Sequence, residues 1–140
     1  MDAEQVSELL RTHFPGFTAD GSKVAIEAAT PTHARVRMIP TPSTIRPGGT
    51  ISGPAMFKLA DLAVYVALLS ELGVAGLDTA TSSLNITFLA RPEPRDMIAD
   101  ARILRRGRRL VVGEVEMVTE GKPDLVAHAV VTYVMPAGPA

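Results

Sequence analysis

The sequence predicts an α+β domain in which one antiparallel sheet curls around a single long helix. Three observations predict it. The segment Gly53 to Leu72 is rich in alanine and leucine and apolar almost all the way round, with Lys58 and Asp61 its only charges between Pro54 and Ser70. A helix of that kind must be enclosed by other structure. Two strand-like segments precede it and four follow, several with strict apolar–polar alternation. The chain has 140 residues, the size of one ordinary domain, so residues 1–140 read as one unit.

Asp2 to Phe14 reads as a short amphipathic helix, with Val6, Leu9, Leu10 and Phe14 on one side and Asp2 with Gln5 as a capping pair. Pro15 and Gly16 end it. Lys23–Ala29 and His33–Ile39 follow as strands; in the second, Ala34, Val36 and Met38 alternate with Arg35 and Arg37. A loop between Pro40 and Ser52 carries Gly48 and Gly49, and a long ordered loop tends to have a task. Pro54 suits the start of the long helix and Gly73 the residue after its end.

Four strands are expected next, at Thr79–Ala90, Asp96–Arg105, Arg109–Val118 and Asp124–Met135. Leu84, Ile86 and Phe88 oppose Ser83, Asn85 and Thr87, while Ala99, Ala101 and Ile103 oppose Asp100 and Arg102. Arg105-Arg106-Gly107-Arg108 and Glu120-Gly121-Lys122-Pro123 read as hairpin turns.

Composition narrows the chemistry. The chain is 46% hydrophobic and 21% charged, too apolar for a disordered protein. Its formal net charge of −1 and 4% aromatic content argue against nucleic-acid binding. There is no cysteine, which excludes disulfides, thiolate metal sites and cysteine nucleophiles. His13, His33 and His128 lack ligand spacing for zinc, so no metal is expected. No Gly-x-Ser-x-Gly elbow is present, which disfavours a serine hydrolase, and Gly48-Gly49 lacks the Lys-Ser/Thr of a phosphate loop. The N-terminus lacks a signal-peptide pattern, and the apolar stretch Leu59 to Leu69 is too short to span a bilayer. A cytoplasmic protein without membrane attachment is the expectation.

Asp61 is the singular residue. Lys58, three positions earlier, offers it an ordinary ion pair. A carboxylate in an otherwise apolar helix nevertheless faces a desolvation penalty, and such groups concentrate at functional sites. The arginines Arg102, Arg105, Arg106, Arg108 and Arg109 read either as a solvated hairpin or as a phosphate site, with Arg91 a second candidate.

The segments Ser52-Gly53-Pro54-Ala55-Met56-Phe57-Lys58-Leu59-Ala60-Asp61 and Leu84-Asn85-Ile86-Thr87-Phe88-Leu89 resemble the hotdog thioesterases of the phenylacetate-pathway (PaaI-like) type. The resemblance runs from about Ala34 to Met135. It implies a hotdog fold and hydrolysis of an acyl-CoA to free acid and CoA, with the CoA thioester as substrate and no cofactor. Asp61 then acts as nucleophile or general base, the Gly53 backbone N–H stabilises the oxyanion, and Thr81 matches a position often held by serine. It further implies a homodimer, often paired into a tetramer, with Asp61 and Gly53 supplied by different subunits. Eight residues of helix separate the two, roughly 12 Å. The acyl group is expected beside the helix near Arg46, Ser52, Pro54, Met56, Phe57 and Tyr65, with Arg46 placed to hold an acidic acyl group or to give electrophilic assistance. The CoA phosphates are expected near Arg91 and the hairpin Arg105, Arg106, Gly107, Arg108 and Arg109.

The chain departs from the family pattern in two places. Ser52 stands where a histidine is usual and Pro54 where a second glycine is usual; Arg46 stands where many members carry an asparagine. These departures motivate an alternative, a non-catalytic acyl-CoA binding or sensing protein on the same fold. His13-Phe14-Pro15-Gly16 resembles the motif of hotdog dehydratases, but it falls some forty residues before the long helix and reads as chance. His33 is the other histidine a dehydratase or isomerase could use.

Overall fold

The computed structural model describes residues 1–136. Helix α1 spans Ala3–His13, strands β1 and β2 span Lys23–Ala29 and His33–Ile39, and helix α2 spans Gly53–Leu72. Strands β3 to β6 follow at Ala80–Phe88, Met97–Arg106, Leu110–Thr119 and Leu125–Val134. They form a single six-stranded sheet in the order β1-β2-β4-β5-β6-β3, every pair antiparallel. The sheet wraps α2, which is the hotdog architecture expected from the sequence.

The wrapping follows from α2 itself. Twelve of its residues are buried, and they lie on all sides, so no single flat layer could cover them. Leu59, Leu62 and Leu69 are each no more than 2% exposed, and full burial of such a side chain stabilises by about 1.5–3 kcal/mol. The inward positions of the sheet supply the cover: Val36 and Met38 from β2, Ala99 and Ala101 from β4, Val115 and Met117 from β5, Ala129 and Val131 from β6. Gly113 permits β5 to approach α2 closely. A Cβ there would lie 3.0 Å from Val64 Cγ2 and 3.3 Å from the Arg102 carbonyl oxygen.

By length and hydropathy alone, Gly53–Asp78 could cross a membrane, which corrects the expectation drawn from the shorter stretch Leu59 to Leu69. Here the same apolarity is spent inside the sheet.

Both ends of α2 are capped as its sequence suggests. The Ser52 side chain accepts from the Ala55 N–H at 3.2 Å, and Gly73 closes the C-terminus at φ 61°. The Asp2–Gln5 capping box opens α1, which buries Val6, Leu9 and Leu10. After α1 the chain makes a 3-10 turn over Pro15–Thr18, where the sequence suggested only a helix stop. A second 3-10 segment, Gly73–Asp78, carries the chain from α2 to β3. On the outer face of the sheet Arg37 pairs with Glu27, Asp96 and Glu120, joining β1, β2 and the ends of β4 and β5. Strand β3 is an edge of the sheet and is largely exposed, with Phe88 51% accessible.

Candidate active site

Asp61 lies in the third turn of α2 and is half-buried, pointing toward the end of the sheet where β6 and β3 meet. Its Oδ1 accepts two hydrogen bonds, from Thr81 Oγ1 at 2.7 Å and from the Tyr133 hydroxyl at 2.8 Å. The same hydroxyl lies 3.0 Å from the Asp61 carbonyl oxygen. Oδ2 has no hydrogen-bond partner among the described residues. No buried side-chain oxygen or nitrogen in the described chain lacks a partner, so Oδ2 must be open to solvent. One carboxylate oxygen is anchored and the other is presented.

Thr81 reaches Asp61 because β3 is irregular. Strict alternation from Leu84, Ile86 and Phe88 would send Thr81 outward together with Ser83 and Asn85. The β3–β6 register slips between Thr81 and Ser83, so that Thr81 sits opposite Tyr133. A bulge of this kind re-aims a side chain, and bulges concentrate beside active sites. Tyr133 needs no such device. It continues the inward row Ala127, Ala129 and Val131 of β6 and is 3% exposed.

Tyr65, one turn after Asp61 on α2, stacks on Tyr133 with ring centroids 5.8 Å apart and planes at 11°. Its hydroxyl donates to the Leu77 carbonyl at 3.3 Å. Burial, reinforced by the Asp61 carboxylate, pushes the Tyr133 hydroxyl far above its ordinary pKa. Burial, with Asp78 and Asp61, raises that of Tyr65 as well. Tyr133 therefore stays a hydrogen-bond donor at any physiological pH. A cavity of about 190 Å³ opens in front of the carboxylate, lined by Phe14, Phe17, Leu62, Tyr65 and Leu77 together with Thr79, Thr81 and Tyr133. None of the three histidines lines it.

The ordinary ion pair offered by Lys58 does not form. Its ammonium turns the other way, to Asp20 Oδ2 at 2.8 Å, Ser22 Oγ at 3.3 Å and the Phe17 carbonyl oxygen. It also stands 4.5 Å from the Phe17 ring centroid. The carboxylate of Asp20 is held well below the usual range, chiefly by that hydrogen bond. Asp61 is thus left without a cation beside it among the described residues.

The structure brings Asp61, Thr81 and Tyr65 together and sets the other sequence candidates apart. Gly53 begins α2 two turns away, and its N–H makes no hydrogen bond among the described residues. A Cβ at Gly53 would meet the Phe88 ring at 3.5 Å. Ser52 is engaged as the helix cap and Pro54 occupies the first turn. Met56 is 3% exposed in the core, whereas Phe57 is 44% exposed; neither lines the Asp61 cavity. Arg46 sits in a tight turn held by its own backbone, with Gly49 N–H donating to its carbonyl oxygen at 3.0 Å, and its side chain is exposed.

In the hairpin, Arg106 is committed to Glu71 at 2.9 Å. Arg105, Arg108 and Arg109 are exposed and form no ion pair among the described residues. Gly107 makes the turn between them, its N–H donating to the Leu110 carbonyl at 2.9 Å. Arg91 reaches the Gly48 carbonyl at 3.3 Å. Two contributors to the Asp61 site were not singled out in the sequence, Tyr133 and the Phe14–Phe17 pair. Alternation along β6 carries the signal for the first; the helical period puts Phe14 on the apolar side of α1, and nothing local marks Phe17.

Comparison with known proteins agrees with the fold. The family profile for the thioesterase superfamily matches residues 48–133. A provisionally assigned thioesterase of Silicibacter sp. TM1040 shares 34% identity and a TM-score of 0.85, over 98% of this chain and 93% of that one. Thioesterase superfamily member 2 of zebrafish is 22% identical with a TM-score of 0.80, covering 95% of this chain and 94% of its own. The Mus musculus protein of the same name is 20% identical with a TM-score of 0.81, covering 94% and 96%. These last two are likenesses of fold. No curated protein matches the sequence. With well over half its length matched by the family profile, the chain belongs to the thioesterase superfamily.

Proposed function

We propose that this protein is an acyl-CoA thioesterase of the PaaI-like type, hydrolysing its substrate from a cytoplasmic pool to free acid and CoA with Asp61 as the reacting carboxylate. The observation that carries this reading is the asymmetry of Asp61. Two hydroxyls hold Oδ1, Oδ2 has no partner among the described residues, and Asp61 lines a cavity with no cation beside it among those residues. Such a group suits basic or nucleophilic work.

As a general base, Oδ2 takes a proton from water while the water oxygen bonds to the thioester carbon. The carbonyl oxygen becomes an oxyanion. On collapse the carbon–sulfur bond breaks, and the proton held by Asp61 passes to the departing CoA thiolate. As a nucleophile, Oδ2 itself bonds to the carbon and expels the thiolate, and water then hydrolyses the mixed anhydride. Thr81 and Tyr133 serve either course by fixing the carboxylate.

The oxyanion needs a donor, and the unpaired Gly53 N–H at the α2 N-terminus is suited to it. It lies too far along the helix to serve its own Asp61, so each site takes this N–H from a second copy. The open edge of β3 offers free backbone groups for pairing the two copies. We place the CoA phosphates against Arg105, Arg108 and Arg109, or against Arg91 at the opposite end of the sheet beside the Gly48 loop, and assign the homodimer, paired into a tetramer, as the working assembly.

Release of free thiol from a panel of acyl-CoAs tests the reaction. Asp61→Asn should lower kcat by about a hundredfold to ten-thousandfold; full activity in the variant would overturn the assignment. Binding across the panel with no turnover by the wild type would favour a sensing protein instead. Mixing tests the shared site. Asp61→Asn and Gly53→Pro, each inactive alone, should regain roughly a quarter of wild-type activity when co-refolded, since half the dimers are mixed and each mixed dimer has one intact site. Proline suits both the extended backbone at Ser52 and the first helical position. Absence of recovery in verified mixed dimers would place both groups in one subunit.

A further inference from the structure

The Asp61 cavity has a second cavity behind it. A space of about 380 Å³ lies between α1, the Pro15–Thr18 turn and β1, and it is lined by Leu10, Phe14, Phe17, Val24 and Ile26 with Ser7, Arg11 and Thr18 at its polar margin. Phe14 and Phe17 also line the cavity of about 190 Å³ in front of Asp61. The two rings are therefore the wall between the spaces. They meet edge to face with centroids 5.6 Å apart.

The rings are not held equally. Phe17 is anchored twice by Lys58, through its carbonyl oxygen and through its ring beneath the ammonium, and Lys58 is in turn held by Asp20. Phe14 is the C-cap of α1, in neither helical nor strand backbone geometry, and its ring is 45% exposed with only the Phe17 ring as an aromatic partner. One ring is a post and the other can swing.

We propose that Phe14 is the specificity-determining residue of the acyl site. In its observed rotamer it closes the rear of the smaller cavity in front of Asp61, and when it turns aside it admits straight aliphatic acyl chains into the larger cavity under α1. The substrate class that uses both spaces is an unbranched acyl-CoA whose chain outgrows the first; a flat aromatic acyl group stops at the rings. The proposal rests on Asp61 being the group that meets the thioester.

The experiment is a chain-length series of straight-chain acyl-CoAs, read as the ratio of long- to short-chain kcat/KM. Each methylene that leaves water contributes about fourfold. In the wild type the gain should slow where the chain tip reaches Phe14. Phe14→Ala should remove that step, so that two further methylenes raise the ratio by about sixteenfold, and Phe14→Trp should sharpen it. Ser7→Leu, which adds bulk to the rear cavity from the α1 face shared with Leu10 and Phe14, should cancel the gain when combined with Phe14→Ala. A chain-length profile unchanged by Phe14→Ala, or lowered equally at every length, overturns the proposal.

Non-hydrolysable acyl-CoA thioethers, titrated into the Asp61→Asn background, give the same series as an affinity. If hydrolysis fails everywhere but thioether affinity still follows Phe14, the catalytic reading falls and the acyl gate stands. If turnover is normal and affinity ignores Phe14, the reverse holds.

Discussion

Lys58 and Asp61 are the two charges in the apolar body of α2, between Pro54 and Ser70, a single turn apart, and their surroundings differ in kind. Lys58 presents three donors and finds three oxygens, on Phe17, Asp20 and Ser22, with an aromatic ring beneath the ammonium. Asp61 presents two oxygens, and only one is occupied, by Thr81 and Tyr133. A charge placed for structure is saturated by its neighbours, since every unmet donor costs desolvation. A charge placed for chemistry is anchored on one side and left open on the other. The difference also separates what each charge holds. Lys58 pins the Pro15–Thr18 turn against the helix, whereas Asp61 organises the space in front of it.

The largest test of that contrast is to neutralise each charge in turn. Asp61→Asn keeps size and most hydrogen-bonding capacity, so it should remove activity while leaving thermal stability nearly intact. Lys58→Met should do the opposite, lowering the melting temperature and leaving the hydrolysis of short acyl-CoAs far less affected. Thiol release and a melting curve on the two variants check both halves. Equal loss of activity in the two would mean that Lys58 acts on the carboxylate, against the geometry.

A smaller effect is expected from the anchors. Tyr133→Phe deletes a hydrogen bond to a charged group, an interaction contributing about 1.5–3 kcal/mol, so kcat should fall roughly tenfold to a hundredfold. Thr81→Val should fall in the same direction and Thr81→Ser should recover most of the loss, because only the hydroxyl is used. Restored activity in Thr81→Ser but not in Thr81→Val separates anchoring from mere packing; if Thr81→Val is fully active, Tyr133 alone orients Asp61.

How far the sequence discloses this site depends on how regular each element is. The bounds of α2 and of the first two strands follow the reading of composition, capping and alternation, because those signals are local and agree with one another. Tyr133 was legible in the same way, as the inward end of the β6 alternation, but its partner was not. Thr81 faces Asp61 only because the register slips between Thr81 and Ser83; period-two reasoning alone points it outward, and only the family resemblance marked it. The Lys58–Asp20 pair joins residues 38 apart in the chain, so nearness in sequence favoured Asp61 as the partner instead. Phe14 and Phe17 lie in a turn whose task depends on tertiary contact with α2 and β1, and no periodicity reports such contact.

The smallest expected effect concerns acid. Asp20 has its folded-state pKa depressed by Lys58, so its pairing stabilises the fold above the unfolded carboxylate value, about pH 4. That contribution is lost as pH falls further, through the folded-state value. Asp20 is more than half exposed, so solvent screening keeps the contribution small. Lys58→Met should therefore melt lower than the wild type at pH 7 by on the order of a few degrees, and the gap should narrow below about pH 4 as Asp20 protonates in the unfolded chain. The melting temperatures of the two proteins, followed from pH 7 to pH 2.5 or so, measure it. A gap that stays constant across that range would assign the Lys58 contribution to the Phe17 carbonyl and ring, which do not titrate, and would leave Asp20 as a bystander at the edge of the clamp.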